Sequence, residues 1–377
     1  MSVVDLARLQ FAVTTGVHWL FVILTMGLAP IVAIMHSRDP AVWGRMTRFW
    51  GQLYLINYAV GIATGIVMEF QFGLSWSGLS TFAGNVFGAP LALETLIAFF
   101  AESTFLGMWI FGWGRMSRGL HVTLIWLVAL TAYASAYFIL VANGFMQRPV
   151  GFEVRNGVAY LTDFAALLTN PSTLLALGHV ALAALTTGGV FVAGIAAFHL
   201  ARGDEAFRGS LRLGVVIAAV ASFFVIIVGD LQVPLFQPEK KAALDGTLGV
   251  ALDTMTIIGN TVSTVTFVAL FLLRKDRLVR WRPLAYLMTA MIPFPFVASV
   301  GGWLVREVGR QPWLVYGQLT VADALSEVSW LSLAVSCAAF IVIFVALAVT
   351  NWTLLTRIAR RGPESAAAPE PVPVLTF

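Results

Sequence analysis

The sequence predicts an all-α membrane protein, a polytopic bundle of transmembrane helices. Of its 377 residues, 59% are hydrophobic and only 11% are charged, whereas a water-soluble domain carries about 25% charged residues. The mean hydropathy is +0.86. A soluble globular protein is therefore excluded. The long apolar stretches are interpreted as helices, because a lipid-exposed segment must satisfy its backbone hydrogen bonds internally.

Nine stretches have the roughly 20 predominantly apolar residues that a helix needs to cross the hydrocarbon core. They are residues 11–35, 50–72, 91–113, 121–143, 172–200, 212–230, 248–273, 284–305 and 328–356. The first is too long for a signal-peptide core and lacks a small-residue cleavage site after it. Residues 1–361 are thus expected to form one membrane domain with a short outer loop at 231–247. The Pro- and Ala-rich residues 362–377 are expected to be a disordered cytoplasmic tail.

The distribution of Lys and Arg predicts the orientation of the bundle. Nine spans place the termini on opposite sides of the membrane. With the N-terminus outside, the inner segments hold 16 of these residues and the outer segments hold 7. Because Lys and Arg accumulate on cytoplasmic loops, we expect the N-terminus outside and the C-terminus in the cytoplasm. The same rule accounts for the net charge of +4, so no nucleic-acid partner is inferred.

Ionisable side chains within the predicted spans indicate function, because they are costly there. His18, His179 and Met255 each lie about seven residues into spans that run in the same direction, or about 10 Å at 1.5 Å per residue. A His and a Met at equal depth on two helices can ligate one haem iron from its two faces, and a second His can serve another haem. The single cysteine, Cys337, excludes a CxxCH attachment, so such haems would be bound without covalent linkage.

These residues also have structural explanations. A Met in a membrane helix usually packs, and a lone His can simply hydrogen-bond to a neighbouring helix. Glu94 and Glu102 can likewise pair with groups on adjacent helices. However, two carboxylates eight residues apart, without a basic residue in their span, are equally typical of a proton path.

Six segments, in order along the chain, carry a resemblance to a known family. They are RLQFAVTTGVHWLFVILTMG (8–27), GIATGIVMEFQFG (61–73), FGAPLALETLIAFFAESTFLG (87–107), WLVALTAYASAYFILVANGFMQ (126–147), QPEKKAAL (237–244) and GRQPW (309–313). Through them the chain resembles subunit I of cytochrome bd quinol oxidases over nearly every span. The resemblance implies electron transfer from quinol to O2 through a low-spin haem b, a high-spin haem b and haem d. It also implies a second membrane subunit of cytochrome bd type, and it allows an additional small single-helix subunit. The implied location is a bacterial or archaeal cytoplasmic membrane.

The resemblance also assigns roles to individual positions. His179 and Met255 match the ligands of the low-spin haem b, and His18 matches the ligand of a high-spin haem, of type b or d. The residues that match a proton path toward the high-spin haems are Glu94, Glu102 and Ser135. Those that match polar contacts around the haems are Arg8, Asn143 and Arg310. Two positions match the quinol-linked part of the outer loop, Lys240 and Asp245.

The chain departs from the family pattern on span 8 and in the outer loop. Members carry a Glu that ligates one high-spin haem, within Pro-x-Pro-Trp-x-x-x-Glu-x-Gly-Trp. The stretch here is PFPFVASVGGW (293–303), with Val300 at the Glu position. Valine cannot ligate iron, so this haem either uses another ligand, such as Glu94 or water, or is absent. Glu307 is expected to lie too near the outer surface to replace it. Loop 231–247 is much shorter than in quinol-oxidising members, and Asp253 stands where they have an arginine.

Three functions remain open at this point. The favoured one is a haem-containing oxidase subunit that passes electrons from quinol or another donor to O2, with protons from the cytoplasm. The second is an electron-transfer subunit of the same superfamily without quinol oxidation or oxygen chemistry. The third is a haem-free transporter that uses Glu94 and Glu102 for proton coupling.

Overall fold

The computed structural model describes residues 2–274 and 277–363. Within this part of the chain, nine helical stretches are long and apolar enough to cross a membrane. The predicted all-α bundle of nine spans is therefore confirmed. From residue 364 onward, the predicted disordered tail lies outside the described residues.

The helices extend beyond the apolar cores predicted from the sequence. In chain order they are α1 (Val3–Ser37), α2 (Pro40–Ser75), α3 (Ser77–Leu93), α4 (Phe100–Phe111), α5 (Arg118–Gln147), α6 (Phe164–Leu168), α7 (Pro171–Ala201), α8 (Arg208–Asp230), α9 (Pro238–Ala243), α10 (Thr247–Leu272), α11 (Arg277–Arg280), α12 (Arg282–Ala290), α13 (Phe294–Val308) and α14 (Trp330–Arg361). Polar residues set several starts. Asp39 and Asn170 accept backbone N–H groups at the starts of α2 and α7, where proline follows as the first helical residue.

Two of the predicted spans are interrupted helices. The third span begins at Ser77, well before the predicted residue 91, and its α3 and α4 are joined by a π-helical segment, Glu94–Phe99. The eighth span, predicted as continuous, is broken between α12 and α13. Pro293 lies in this break and Pro295 in the first turn of α13, and proline lacks the N–H group that would continue the helical hydrogen bonds.

Helices α1 and α7 cross at the centre of the bundle through small residues. A Cβ atom on Gly27 would clash with the carbonyl oxygen of Ala184, and a Cβ atom on Gly188 would lie 2.6 Å from the carbonyl carbon of Gly27. The two backbones therefore pack directly against each other. Small residues allow such close approach in membrane helices, where packing drives association.

Apolar side chains fill the two ends of the bundle. The larger cluster joins the second half of α1 to the first half of α2 and to the end of α7. The smaller cluster joins the start of α1 to α3 and to the end of α5. We call the end at which α1 begins the N-terminal side. Two antiparallel hairpins follow helices that end there, β1 (Phe152–Arg155) with β2 (Val158–Leu161), and β3 (Trp313–Val315) with β4 (Leu319–Thr320).

Candidate functional site

A cavity of about 1470 Å³ lies among the helices. Pockets for a single small ligand typically have about 300–1,000 Å³, so this space is suited to more than one such group. Ten of the residues singled out from the sequence line it: Arg8, His18, Glu94, Glu102, Ser135, Asn143, His179, Lys240, Met255 and Arg310. Asp245 is exposed on the loop and is not part of the lining.

The ring of His18 is oriented by α2. Its Nδ1 atom lies 2.9 Å from Oγ1 of Thr64, whose own hydroxyl donates to the carbonyl oxygens of Val60 and Gly61. With the single Thr64 proton directed to one of these carbonyl oxygens, Thr64 accepts the hydrogen bond from the Nδ1–H group of His18. In this tautomer Nε2 carries the lone pair that a metal ligand needs, and a hydrogen bond at the other ring nitrogen is the usual partner of a ligating His.

His179 is oriented in the same way by α8. Its Nδ1 atom lies 3.1 Å from the carbonyl oxygen of Val225, and a carbonyl can only accept. The proton is thus on Nδ1, and Nε2 is left as a ligand. Gly229, one turn further on, allows the ring to approach α8, because a Cβ atom there would lie 3.1 Å from Cε1 of His179.

Met255 lies against two glycines of α13. A Cβ atom on Gly302 would be 2.7 Å from Sδ of Met255, and one on Gly301 would be 3.5 Å from its Cβ atom. His179 and Met255 each lie eight residues after the first residue of their helix, Pro171 and Thr247 respectively. The count is the same for this pair, whereas His18 lies 15 residues after Val3, the first residue of its longer helix α1.

Glu94 and Glu102 are both buried and both line the cavity. In an uninterrupted α-helix, residues eight positions apart point in directions that differ by about 80°. The π segment Glu94–Phe99 rotates less per residue than an α-helix, and it turns both carboxylates to the same side. Ser135 donates to Oε1 of Glu94 at 2.6 Å, and Tyr54 donates to Oε1 of Glu102 at 3.4 Å.

The sequence reasoning missed Glu69, which also lines the cavity and interacts electrostatically with Glu94. It is an ionisable residue within the predicted span 50–72, so the rule that selected Glu94 and Glu102 applies to it equally. Tyr54 was missed for a different reason. A tyrosine in a membrane helix carries no signal until its hydroxyl partner is known.

A buried polar network closes the cavity at its N-terminal side. Asn143 joins its parts: Oδ1 accepts from Nε of Arg306 at 2.6 Å, and Nδ2 donates to Oε1 of Glu307 at 2.7 Å. Oε2 of Glu307 forms an ion pair with Nη2 of Arg310 at 2.6 Å. Nε and Nη1 of Arg310 are buried without a hydrogen-bond partner among the described residues. Arg306 and Glu307 were missed as site residues because they lie just past the predicted end of span 8.

Lys240 belongs to this network rather than to an exposed loop. Its side chain is 3% exposed, and Nζ donates to Oε1 of Gln147 and to the carbonyl oxygen of Arg306, both at 3.2 Å. Burial, followed by the nearby Arg306 guanidinium, lowers the pKa of Lys240 from its ordinary 10.5 to about 7. The ammonium group is therefore turned inward and does not face a ligand outside the loop.

The structure corrects the expectation about Glu307. This residue lines the cavity with Arg306 and Arg310, so it is not too near the surface. Val300, in contrast, is not among the lining residues, and Ala298, Ser299 and Gly302 form the α13 wall at that level. Helix α13 therefore does present a carboxylate to the cavity, from a position two turns beyond the one inferred from the sequence.

The cavity wall fits haem groups on several independent grounds. Two histidines keep Nε2 available, a thioether lies at the depth of one of them, and glycines leave space beside His179 and Met255. Guanidinium nitrogens without partners, as in Arg310, lie at one end, where carboxylate groups of a ligand would be bound. No cluster of three or more His, Cys, Asp or Glu suited to a bare metal ion occurs among the described residues.

Comparisons with known proteins identify similar chains that cover nearly the whole sequence. The profile of the family "Cytochrome bd terminal oxidase subunit I" matches residues 6–251 and 248–363. The two matched segments meet directly after loop 231–247, which is consistent with a shortened loop. The cytochrome bd ubiquinol oxidase subunit 1 of Bacillus subtilis (strain 168) is 36% identical over an alignment of 444 positions, which covers 97% of this chain and 95% of the relative.

Two further comparisons concern a second relative and a solved structure. The cytochrome bd-II ubiquinol oxidase subunit 1 of Escherichia coli (strain K12) is 43% identical over 257 residues, 65% of this chain and 50% of that protein. The structure of bd oxidase from Geobacillus thermodenitrificans superposes with a TM-score of 0.88 at 26% sequence identity, covering 95% of this chain and 98% of that one. The chain therefore belongs to the cytochrome bd terminal oxidase subunit I family.

Proposed function

We propose that this chain is the subunit of a membrane terminal oxidase that takes electrons from a quinol at the N-terminal side and delivers them to O2. The observation that carries the proposal is that His179, Met255 and His18 line one cavity, with both histidines oriented to ligate through Nε2. Bound haem would supply electron transfer at the low-spin site of His179 and Met255, and O2 reduction to water at the high-spin site of His18.

Glu94, Glu102 and Ser135 serve in this proposal as the proton path. Glu102 is buried beside Tyr54, close to the apolar cluster that fills the C-terminal end of the bundle. Glu94 is hydrogen-bonded to Ser135 further along the same wall. Carboxyl groups buried in this way exchange protons through hydroxyl partners and cavity water. Protons would enter from the C-terminal side, which the Lys and Arg distribution assigns to the cytoplasm.

Glu307 supports a complete set of haems. Its carboxylate lines the cavity and is held by Asn143 and Arg310, and ligating carboxylates commonly have such hydrogen-bonded partners. We therefore assign the second high-spin haem to Glu307, and no other ligand is needed to compensate for Val300. Haem b is expected at the low-spin site, and haems b and d at the high-spin sites.

The electron donor is expected to bind near loop 231–247. Asp245 is exposed there and is free to accept a quinol hydroxyl group, whereas Lys240 acts from inside the network. Arg8, Asn143 and Arg310 provide polar contacts for the haems. A second membrane subunit, a small single-helix subunit and a location in the bacterial cytoplasmic membrane complete the proposal.

A visible absorption spectrum of the purified, dithionite-reduced complex tests the haem assignment. The wild-type complex should have a low-spin haem band, and His179→Ala and Met255→Leu should each lose it. His199→Ala is the matched control, because His199 contacts the carbonyl oxygen of Ala359 and is not part of the cavity lining. A low-spin band unchanged in His179→Ala would refute the ligand assignment. Oxygen uptake by the wild-type complex with a reduced quinol tests the reaction, and uptake only with another donor would refute the quinol proposal.

A further inference from the structure

Arg306 is a buried cation that forms no direct ion pair with the described residues, although Glu307 acts on it electrostatically from further away. Within the described residues, the one carboxylate of the network, Glu307, forms its ion pair with Arg310, and no carboxylate lies within 4 Å of Arg306. Nε of Arg306 is bound to Asn143, and Nη2 is 3.5 Å from both oxygens of Ser172. Since guanidinium has five N–H donors, Nη1 remains available, and a buried cation without a carboxylate in direct contact favours an anionic ligand.

The position of Arg306 relates it to both proposed ligands of the low-spin haem. On α13 it follows Gly302, the residue against which Met255 packs, by one helical turn, on the same face. Across the cavity it reaches Ser172, which precedes His179 on α7 by about two turns. Its guanidinium therefore spans the gap between α13 and α7 about 6–10 Å beyond the two ligands, toward the N-terminal side.

We propose that Arg306 is the positioning cation of the low-spin haem site: it binds a carboxylate group of the cofactor across the gap between α7 and α13 and raises the reduction potential of the haem. Helix α10 itself carries no cation beside Met255, since the nearest charged residue before it is Asp253. Arg306 supplies a positive charge from the facing helix α13.

The sign of the effect follows from charge. Reduction of the haem adds one electron, so a nearby fixed cation stabilises the reduced form more than the oxidised form. At an effective dielectric constant of about 20, a unit charge about 10 Å away changes the ratio of reduced to oxidised haem roughly tenfold. For a one-electron couple a tenfold change corresponds to about 59 mV.

The test is a spectroscopic redox titration of the low-spin haem in the purified complex. Arg306→Gln should reduce the ratio of reduced to oxidised haem about tenfold at the wild-type midpoint potential, whereas Arg306→Lys, which keeps the charge, should stay within about twofold. Lys241→Gln is the control, since it removes an exposed cation from the same outer loop. A wild-type potential in Arg306→Gln, or an equal decrease in Arg306→Lys and Arg306→Gln, would overturn the proposal.

A second variant keeps the test decisive if Arg306→Gln does not assemble. Ser172→Asp leaves Arg306 in place and puts a carboxylate beside its Nη2 atom, so it should lower the potential in the same direction; an unchanged potential would refute the inference. The inference rests on the ligand assignment proposed above, and the two fail separately. If the low-spin band persists in His179→Ala, the ligand assignment is refuted. If the band is lost in His179→Ala but the low-spin haem keeps its wild-type potential in the Arg306 and Ser172 variants, only the role of Arg306 is refuted.

Discussion

Replacing Gly302 by Ala should disturb the low-spin haem without disturbing the fold. The added Cβ atom would lie 2.7 Å from Sδ of Met255, and its only other neighbour within 4 Å is Cγ of Met255 at 3.8 Å. Ordinary van der Waals contact begins at 3.4 Å, so Sδ must move by about 0.7 Å. The proposed ligand atom is therefore the atom that gives way, and the helix backbone has no reason to move.

A displacement of this size is large for a metal ligand, because functional geometry must be held within about 0.5 Å. Changes to groups that orient a ligand typically cost about 10–100-fold in metal affinity or activity. We expect oxygen uptake by Gly302→Ala to fall within this range. The low-spin band should weaken, and absorption typical of a high-spin haem should replace it, as the thioether no longer reaches the iron.

The assay is the reduced-minus-oxidised visible spectrum together with oxygen uptake by the purified complex. Gly107→Ala is the matched control, since Gly107 lies within α4 and outside the cavity lining, and a Cβ atom there has no neighbour within 4 Å. In a helix interior this change should stabilise slightly, by about 0.5–1 kcal/mol, and leave the spectrum unaltered. A full low-spin band in Gly302→Ala would refute the placement of Met255 as a ligand.

Three further predictions concern the proton path, the outer network and the helix crossing. Glu102→Gln should lower oxygen uptake at least tenfold with unchanged haem spectra, because an amide cannot relay a proton; uptake at the wild-type rate would contradict the path. The pKa of Lys240 is lowered to about 7 from an ordinary 10.5. Between pH 7 and 10 the unfolded chain therefore binds a proton that the folded chain does not, so the free energy of unfolding should rise with pH in this window. Thermal unfolding should show this rise in the wild type and a smaller one in Lys240→Met, and equal slopes would contradict the prediction. Gly27→Ala should destabilise by about 1–3 kcal/mol through overpacking against Ala184, whereas Gly16→Ala, with no neighbour within 4 Å, should not; equal thermal stability of the two variants would contradict the close crossing.

Much of the fold could be predicted because the bilayer imposes a simple rule on the sequence. A span needs a long apolar stretch, and all nine predicted stretches coincide with helices. The interruptions could not be predicted. No feature of the amino-acid composition indicates the π segment Glu94–Phe99. The break between α12 and α13 lies within a continuous apolar stretch, so hydropathy does not reveal it.

The candidate site likewise contains residues that the sequence could indicate and residues that only the structure reveals. His18, His179 and Met255 stand out because side chains able to ligate iron are rare at membrane depth, so they could be selected as candidates from the chain alone. Arg306 and Glu307 could not be assigned in this way. Charged residues at a span end are ordinarily solvated, and only the packing of α13 against α7 and α5 turns them into the cavity.

The sequence by itself thus determined the number of spans and singled out candidate ligands by residue type and approximate depth, because each depends on local composition along one helix. Only the tertiary structure decided which ring nitrogens are available, which carboxylates share a face and which cation forms no direct ion pair. Those properties depend on groups that are far apart in the chain: Val225 for His179, Asn143 for Glu307 and Ser172 for Arg306. The helical repeat determines the direction in which a side chain points from its own helix. Only the packing of helices against one another determines which groups that side chain contacts.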